Sequence, residues 1–245
     1  MRKIAAIIYR DYRQRITNIG FIFWDLLVPV AYLTLFGTGF AKSVVNDNYM
    51  SFFLPGVIAM TAFSVAMNTS WGFFMDKDSG IFYELLTYPI TRRQLLLGKI
   101  CFNVALSAAG SVLAIAIGVL FMGVQIRWGF LPLTLAAIAV TTAGWFFLMS
   151  IFAITLNRMD SFNTFTSVAY ILLMFMSTMF YPIADLPSWF RWAAYVNPMT
   201  WQVDILRFCL LGSGDIFWII LESAAFAAFT IVCMAFAVRA LNRAA

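Results

Sequence analysis

The chain has 245 residues, 63% of them hydrophobic and only 11% charged, with a mean hydropathy of +0.88, which excludes an ordinary soluble domain and a disordered one. Its formal charge of +5 has no exposed basic domain to carry it, so it points to anionic lipid headgroups and away from nucleic acid. With no histidine in the sequence, His-based catalytic triads and His-ligated zinc or haem are excluded.

Residues 1–19 are expected to form an amphipathic helix along the inner leaflet. Ile4, Ile8, Tyr12, Ile16 and Ile19 recur at i, i+4 spacing, while Arg2, Arg10, Arg13 and Gln14 fall on the other face. Arg15 interrupts the apolar face and is expected to snorkel. A plain charged anchor is the alternative.

Beyond it, each membrane crossing needs about 20 mostly apolar residues, and suitable runs lie at roughly 20–41, 51–73, 99–122, 131–155, 163–182 and 216–238. They are continuously apolar with no period of two, which predicts helices and excludes a barrel of short strands. The expected fold is therefore all-α and polytopic. One transmembrane domain, 1–245, holds six transmembrane helices, the N-terminal interfacial helix and a broken re-entrant hairpin before the last span.

Lys and Arg are distributed unevenly about these spans. Arg2, Lys3, Arg10, Arg13, Arg15, Lys77, Arg92, Arg93, Lys99, Arg158, Arg239 and Arg243 fall on one side, against Lys42, Arg127, Arg191 and Arg207 on the other. This asymmetry predicts that both termini are cytoplasmic.

Between the second and third spans, residues 74–98 form a polar interlude of both signs: Asp76, Lys77, Asp78, Glu84, Arg92 and Arg93, with Lys99 just beyond. Such a loop on the basic side offers a docking surface to a soluble partner. Gly98-Lys99 imitates the end of a phosphate-binding loop, but Arg93 replaces its first glycine and Ile100 the Ser or Thr that would bind magnesium. Any ATP and magnesium therefore belong to another chain. Gly37-Thr38-Gly39 lacks the third glycine of a dinucleotide site, and Cys101, Cys209 and Cys233 read as small hydrophobes. No cofactor or metal is expected.

Residues 182–213 carry Pro182, Pro187 and Pro198, which cannot share one straight helix, among Trp189, Phe190, Trp192, Tyr195 and Trp201. A broken, partly re-entrant hairpin at the outer surface fits, as does an ordinary aromatic belt. Asp25 and Glu222 fall inside the first and last spans. They are expected either to snorkel or to face a partner or a water-filled path, where they would favour cationic amphiphiles or pair with a base such as Arg207.

Two windows carry a family resemblance. Phe82-Tyr83-Glu84-Leu85-Leu86-Thr87-Tyr88-Pro89-Ile90-Thr91-Arg92-Arg93, followed by Leu96-Leu97-Gly98-Lys99, is similar to the loop of permease subunits of type-2 ABC (ATP-binding cassette) exporters. Tyr181-Pro182, Leu186-Pro187-Ser188-Trp189, Asn197-Pro198-Met199-Thr200 and Arg207 resemble the segment before that family's last span. The lead-in Asp76-Lys77-Asp78-Ser79-Gly80 departs from the pattern by having little Arg.

The resemblance implies a transport subunit, not itself an enzyme, coupled through Asp76, Lys77, Asp78, Glu84, Leu85, Leu86, Pro89, Arg92 and Arg93 to two copies of a separate cytosolic ATPase. It implies a homodimer in the plasma membrane of a prokaryote, the inner membrane if Gram-negative, with an outer gate at Pro187, Trp189, Asn197 and Pro198. The cargo would be a drug or lipid-like molecule moved outward by alternating access, and a lipid-linked saccharide is the rival. An ion-driven secondary transporter would want paired intramembrane carboxylates and an inverted repeat, whereas Asp25 and Glu222 stand isolated.

Overall fold

In a long apolar run the backbone groups must bond internally, and a helix is the local way to do so. The computed structural model describes residues 2–17, 19–41, 49–88, 90–183 and 186–243, and contains no strand among them. Its helices are α1 (Arg2–Thr17), α2 (Ile19–Ala41), α3 (Tyr49–Asp78), α4 (Ile81–Thr87), α5 (Arg92–Met122), α6 (Leu131–Thr155), α7 (Met159–Phe175), α8 (Ser188–Val196), α9 (Pro198–Leu211) and α10 (Ile216–Arg243), with a 3-10 turn at Trp128–Phe130 leading into α6.

Four stretches among the described residues are long and apolar enough to cross a membrane: α3, Gln94–Met122 of α5, Trp128–Thr155 and α10. The other two expected spans are shorter or interrupted. α2 runs for 23 residues around Pro29, and α7 has 17, at the lower bound of about 17 that a crossing needs. The expected span 163–182 therefore stops early. Asn197 Nδ2 donates to the carbonyls of Leu173 and Met176 at 2.8 and 2.9 Å, and the Tyr181 hydroxyl donates to that of Phe175. Orphan carbonyls of the last turn are thus satisfied by side chains, which lets the helix end among apolar neighbours.

Local signals explain the other boundaries. Gly80 at φ 80° breaks α3 from α4 in a conformation that favours glycine. A capping box, Thr91 with Gln94, opens α5. α9 opens on Asn197, whose side chain accepts from Met199 N, followed by Pro198 at the first helical position.

α3 is the hub: 72% of its apolar window is buried, against 17% for α10. It packs against α2, α5, α6 and α9, while α10 lies outside on α6 and α9. At mid-depth Trp145 of α6 meets Phe63, Phe226 and Phe229 edge-on at centroid distances of 4.8 to 5.9 Å. Its Nε1 donates to Gln202 Oε1 at 2.6 Å, and Gln202 Nε2 donates to Thr141 Oγ1 at 3.0 Å. Both the oxygen and the nitrogen of this buried amide are bonded, as an apolar interior demands.

α1, α4 and the C-terminal ends of α3, α6 and α10 gather at one end of the bundle, with the N-terminal end of α5. At the opposite end lie the start of α3, residues 176–183, the end of α9 and the start of α10.

Candidate functional site

The basic end is held by a buried charge cluster. Asp76, 3% exposed, receives Arg10 through two bonds of 2.5 and 3.2 Å and Lys99 Nζ at 3.1 Å. Asp11 completes it, 3.6 Å from both cations. Two cations thus face two carboxylates contributed by α1, α3 and α5. Burial pushes the Asp11 carboxyl above its ordinary range, against the opposing pull of Lys99 and Arg10. Burial alone would lower the Arg10 guanidinium, yet its bond to Asp76 together with the negative charges of Asp76 and Asp11 holds it above its usual value.

A second pair lies one turn further along α1. Arg15 donates to Asp25 Oδ2 at 2.5 Å, and Asn68 of α3 donates to Asp25 Oδ1 at 2.5 Å. A polar cavity of about 80 Å³ touches both groups, bounded by Asp11, Arg15, Asn68 and Lys99 among others. Charged and amide partners account for why α1 turns Ile4, Ile7, Ile8 and Asp11 inward and leaves Tyr9, Tyr12, Arg13 and Ile16 exposed. The apolar face read from spacing is therefore split, with Ile4 and Ile8 half-buried and Tyr12 and Ile16 exposed, and Arg15 binds an anion instead of snorkelling.

Of the residues expected to dock a partner, several point elsewhere. Asp76 is internal. Lys77 Nζ donates to the carbonyls of Ile154 and Leu156 at 2.6 and 3.0 Å and to Asn157 Oδ1 at 3.2 Å, placing a cation at the C-terminal end of the α6 dipole. Asp78 and Glu84 are exposed and Leu85 is half-buried. Pro89 and the side chains of Leu86, Arg92 and Arg93 lie outside the described residues.

α4 itself is tethered by Phe82, which is buried edge-on against Phe73 of α3 with centroids 5.5 Å apart. Ile81, Tyr83, Glu84 and Tyr88 remain exposed around it, Tyr83 by 48%. A seven-residue helix is thus fixed to the end of the hub by Phe82, with Leu85 half-buried beside it, and presents an apolar, acidic surface outward.

The Leu96-Leu97-Gly98-Lys99 run has a packing reason. A Cβ on Gly98 would come within 2.7 Å of Ile7 Cγ2, so glycine lets α1 lie directly on α5, and Lys99 then reaches the cluster beneath it.

At the opposite end, Pro187 precedes α8, its carbonyl accepting from Phe190 and Arg191 N. Trp189 is 66% exposed. Asn197 and Pro198 form the joint between α8 and α9, and Asn197 also ties that joint to α7. Arg207 donates to Asp204 Oδ1 at 2.6 Å and to the Thr178 carbonyl at 3.0 Å, with its guanidinium 4.1 Å over the Phe52 ring. Glu222 lines a cavity that Asp204 and Arg207 also line. Asp25 and Glu222 accordingly occupy different sites at different ends.

A model of the family described as ABC-2 type transporter matches residues 2–211. The chain belongs to the ABC-2 type transporter family. It is 28% identical over 203 residues to the ycf38 transport permease of Cyanophora paradoxa, covering 78% of this chain and 68% of that one. It is 24% identical over 217 residues to the daunorubicin resistance ABC transporter permease DrrB1 of Streptomyces coeruleorubidus, covering 87% and 74%. To the multidrug ABC transporter permease YbhR of Escherichia coli it is 26% identical over 180 residues, 71% of this chain and 48% of that one. The matched region of this ABC-2 permease holds both charge clusters and α4, and stops just before α10.

Reading the sequence alone missed the partners of this permease's buried charges. Arg10 looks like a headgroup contact from its spacing, and Asp11 belongs to no sequence pattern that singles it out. Asn68, a lone amide in a long apolar run, was the one visible signal that α3 carries a buried polar contact.

Proposed function

We propose that this ABC-2 permease is the membrane subunit of an ATP-driven exporter, a homodimer of six-span subunits bound to two copies of a separate cytosolic ATPase. α2 and α7 supply the remaining two spans, both termini face the cytoplasm, and the membrane is the plasma membrane of a prokaryote. The observation that carries this reading is α4: a short helix with an outward Ile81, Tyr83, Glu84 and Tyr88 surface, clamped by Phe82 to the end of the most buried helix. That is what a lever between a soluble motor and a bundle requires.

Glu84, Leu85, Leu86, Pro89, Arg92 and Arg93 form the docking region together with Asp78, while Asp76 and Lys77 stiffen its root from inside. Exposed ion pairs contribute only about 0–1 kcal/mol each, so the charged residues set register more than affinity. ATP binding closes the motor subunits and pushes on α4, and a hydrophobic or amphipathic cargo moves outward past a gate at Pro187, Trp189, Asn197 and Pro198.

The test is co-purification of the permease in nanodiscs with its ATPase, comparing wild type with Glu84→Ala and Tyr83→Ala. Both variants should retain the wild-type unfolding temperature and lose cargo-stimulated ATP turnover. Wild-type turnover in both would remove α4 from the coupling path, and absence of any ATPase complex would favour an ion-driven transporter.

A further inference from the structure

A cavity of about 690 Å³ opens between α8, α9 and α10 at the end opposite the charge cluster. This is well within the range of small-molecule sites, roughly 300–1,000 Å³. Its walls include four large aromatic rings, Trp192, Tyr195, Trp201 and Trp218. Three carboxylates, Asp204, Asp215 and Glu222, share it with a single cation, Arg207.

The commitments of these charges are uneven. Asp204 is neutralised by Arg207 at 2.6 Å and accepts from Thr178 Oγ1 at 3.0 Å. Arg207 is occupied on its far side by the Thr178 carbonyl and the Phe52 ring. Asp215 caps α10 by accepting from Phe217 N at 2.9 Å and is exposed at the mouth. Glu222 Oε2 is sealed from solvent with no hydrogen-bond partner among the described residues. With Asp204 and Arg207 cancelling, two carboxylates are left over in an aromatic-walled space. A carboxylate without a partner in such surroundings is costly, and it marks a place for a cation. Indole and phenol faces attract the same charge while packing an apolar body.

We propose that this cavity binds an organic cation with a bulky apolar body, with Glu222 as its counter-charge and Trp218 and Trp201 as its aromatic walls. The proposal names a cargo class for the transport reading and rests on it. Anions and small metal ions are disfavoured there. The net charge opposes the first, and the second would need several oxygen ligands converging where only Glu222 is uncommitted.

The experiment is equilibrium binding of radiolabelled tetraphenylphosphonium to the purified permease in phosphatidylglycerol nanodiscs, read by scintillation proximity. Wild type, Glu222→Gln, Trp218→Leu and the remote control Asp160→Asn are compared, each checked for its unfolding temperature. The expected result is saturable binding, weakened at least tenfold in Glu222→Gln and Trp218→Leu and unchanged in Asp160→Asn. Absence of saturable binding to wild type, or equal affinity in a folded Glu222→Gln variant, overturns the proposal. Repeating the assay with phosphatidylethanolamine in the nanodisc separates the sources of the cation: competition identifies a lipid amine as the natural occupant, and its absence identifies a free cation. ATPase co-purification with the same variants is scored separately, so a permease that recruits its motor yet binds no cation refutes this inference alone.

Discussion

Asp76→Asn is the sharpest test of the buried cluster. The substitution preserves volume and leaves Arg10 and Lys99 facing Asp11 alone, at 3.6 Å. Lys99 is 3% exposed and cannot resolvate without moving, whereas the Arg10 side chain is 28% exposed and can swing outward. Removing one partner of a buried pair costs about 3–5 kcal/mol, and the freedom of Arg10 places this case near the lower figure. At about 2–4 °C per kcal/mol for a chain of this size, a loss near 3 kcal/mol lowers the unfolding temperature by roughly 6–12 °C. Tryptophan fluorescence during heating of nanodisc-held protein reads it directly. Adding Lys99→Met removes the stranded cation, so the double variant should lose less than the sum of the two singles. An Asp76→Asn protein that melts with wild type, or a double variant that shows the full sum, would mean that the four charges are hydrated and independent, and the reasoning would fail.

Gly98→Leu should displace α1 from α5, since even a Cβ there meets Ile7 at 2.7 Å; protease cleavage after Arg10 or Arg13 should accelerate while the rest of the bundle stays resistant. Asn197→Ala removes the α9 cap, about 1 kcal/mol, and takes the Asn197 donor from the Leu173 and Met176 carbonyls at the end of α7, about 1–3 kcal/mol. Asn197→Asp should be no better in the same melt, because it restores the cap but turns an acceptor toward those carbonyls. Asp11 has a folded-state affinity for its proton above the ordinary carboxylate value of 3.8, so the stability it contributes is present at low pH and is lost as pH rises through the raised value. The melting temperature of wild type minus that of Asp11→Asn should therefore fall as pH rises above the ordinary carboxylate value, and a difference that grows instead would contradict the burial of Asp11.

The helical class was legible because each apolar run exceeds what a strand could use, and the Glu84-Leu85-Leu86 pattern marked the loop in which α4 lies. The early end of α7 was not. Nothing in residues 176–182 forbids a helix except Pro182, and the termination depends on Asn197, more than twenty residues away, whose role only the folded chain displays. The same holds for the charge clusters. Spacing placed Arg10 on the polar face of α1 and Asp76 in a polar loop, and both readings were locally sound; their pairing across 66 positions buries Asp76 and draws Arg10 toward the bundle. Glu222 illustrates the opposite limit. Its carboxylate was conspicuous in the sequence as a charge in an apolar run, yet only the neighbouring rings and Arg207 give it a surrounding chemistry.

What links the two ends is α3. Its 30 residues extend about 45 Å at 1.5 Å per residue. At the basic end Asp76 binds α1 and α5 and Phe73 holds α4. About two turns further in, Asn68 holds the Asp25 pair. At the far end the Tyr49 hydroxyl donates to the Phe180 carbonyl at 3.1 Å, and the Phe52 ring lies under Arg207. No loop interrupts this path, and Pro55 is the one break in its ladder of hydrogen bonds. Directly after it, Gly56 lies so close to Met179 that a Cβ would approach Met179 Cγ to 2.5 Å. The push on α4 that we propose would have a stiff route to residues 178–207, and the place where it would be absorbed or passed on is the Pro55-Gly56 joint. Gly56→Ala should wedge that joint. If the route is used, the variant will hydrolyse ATP with its motor subunit and fail to move cargo; if it transports normally, force reaches the outer segment by another helix.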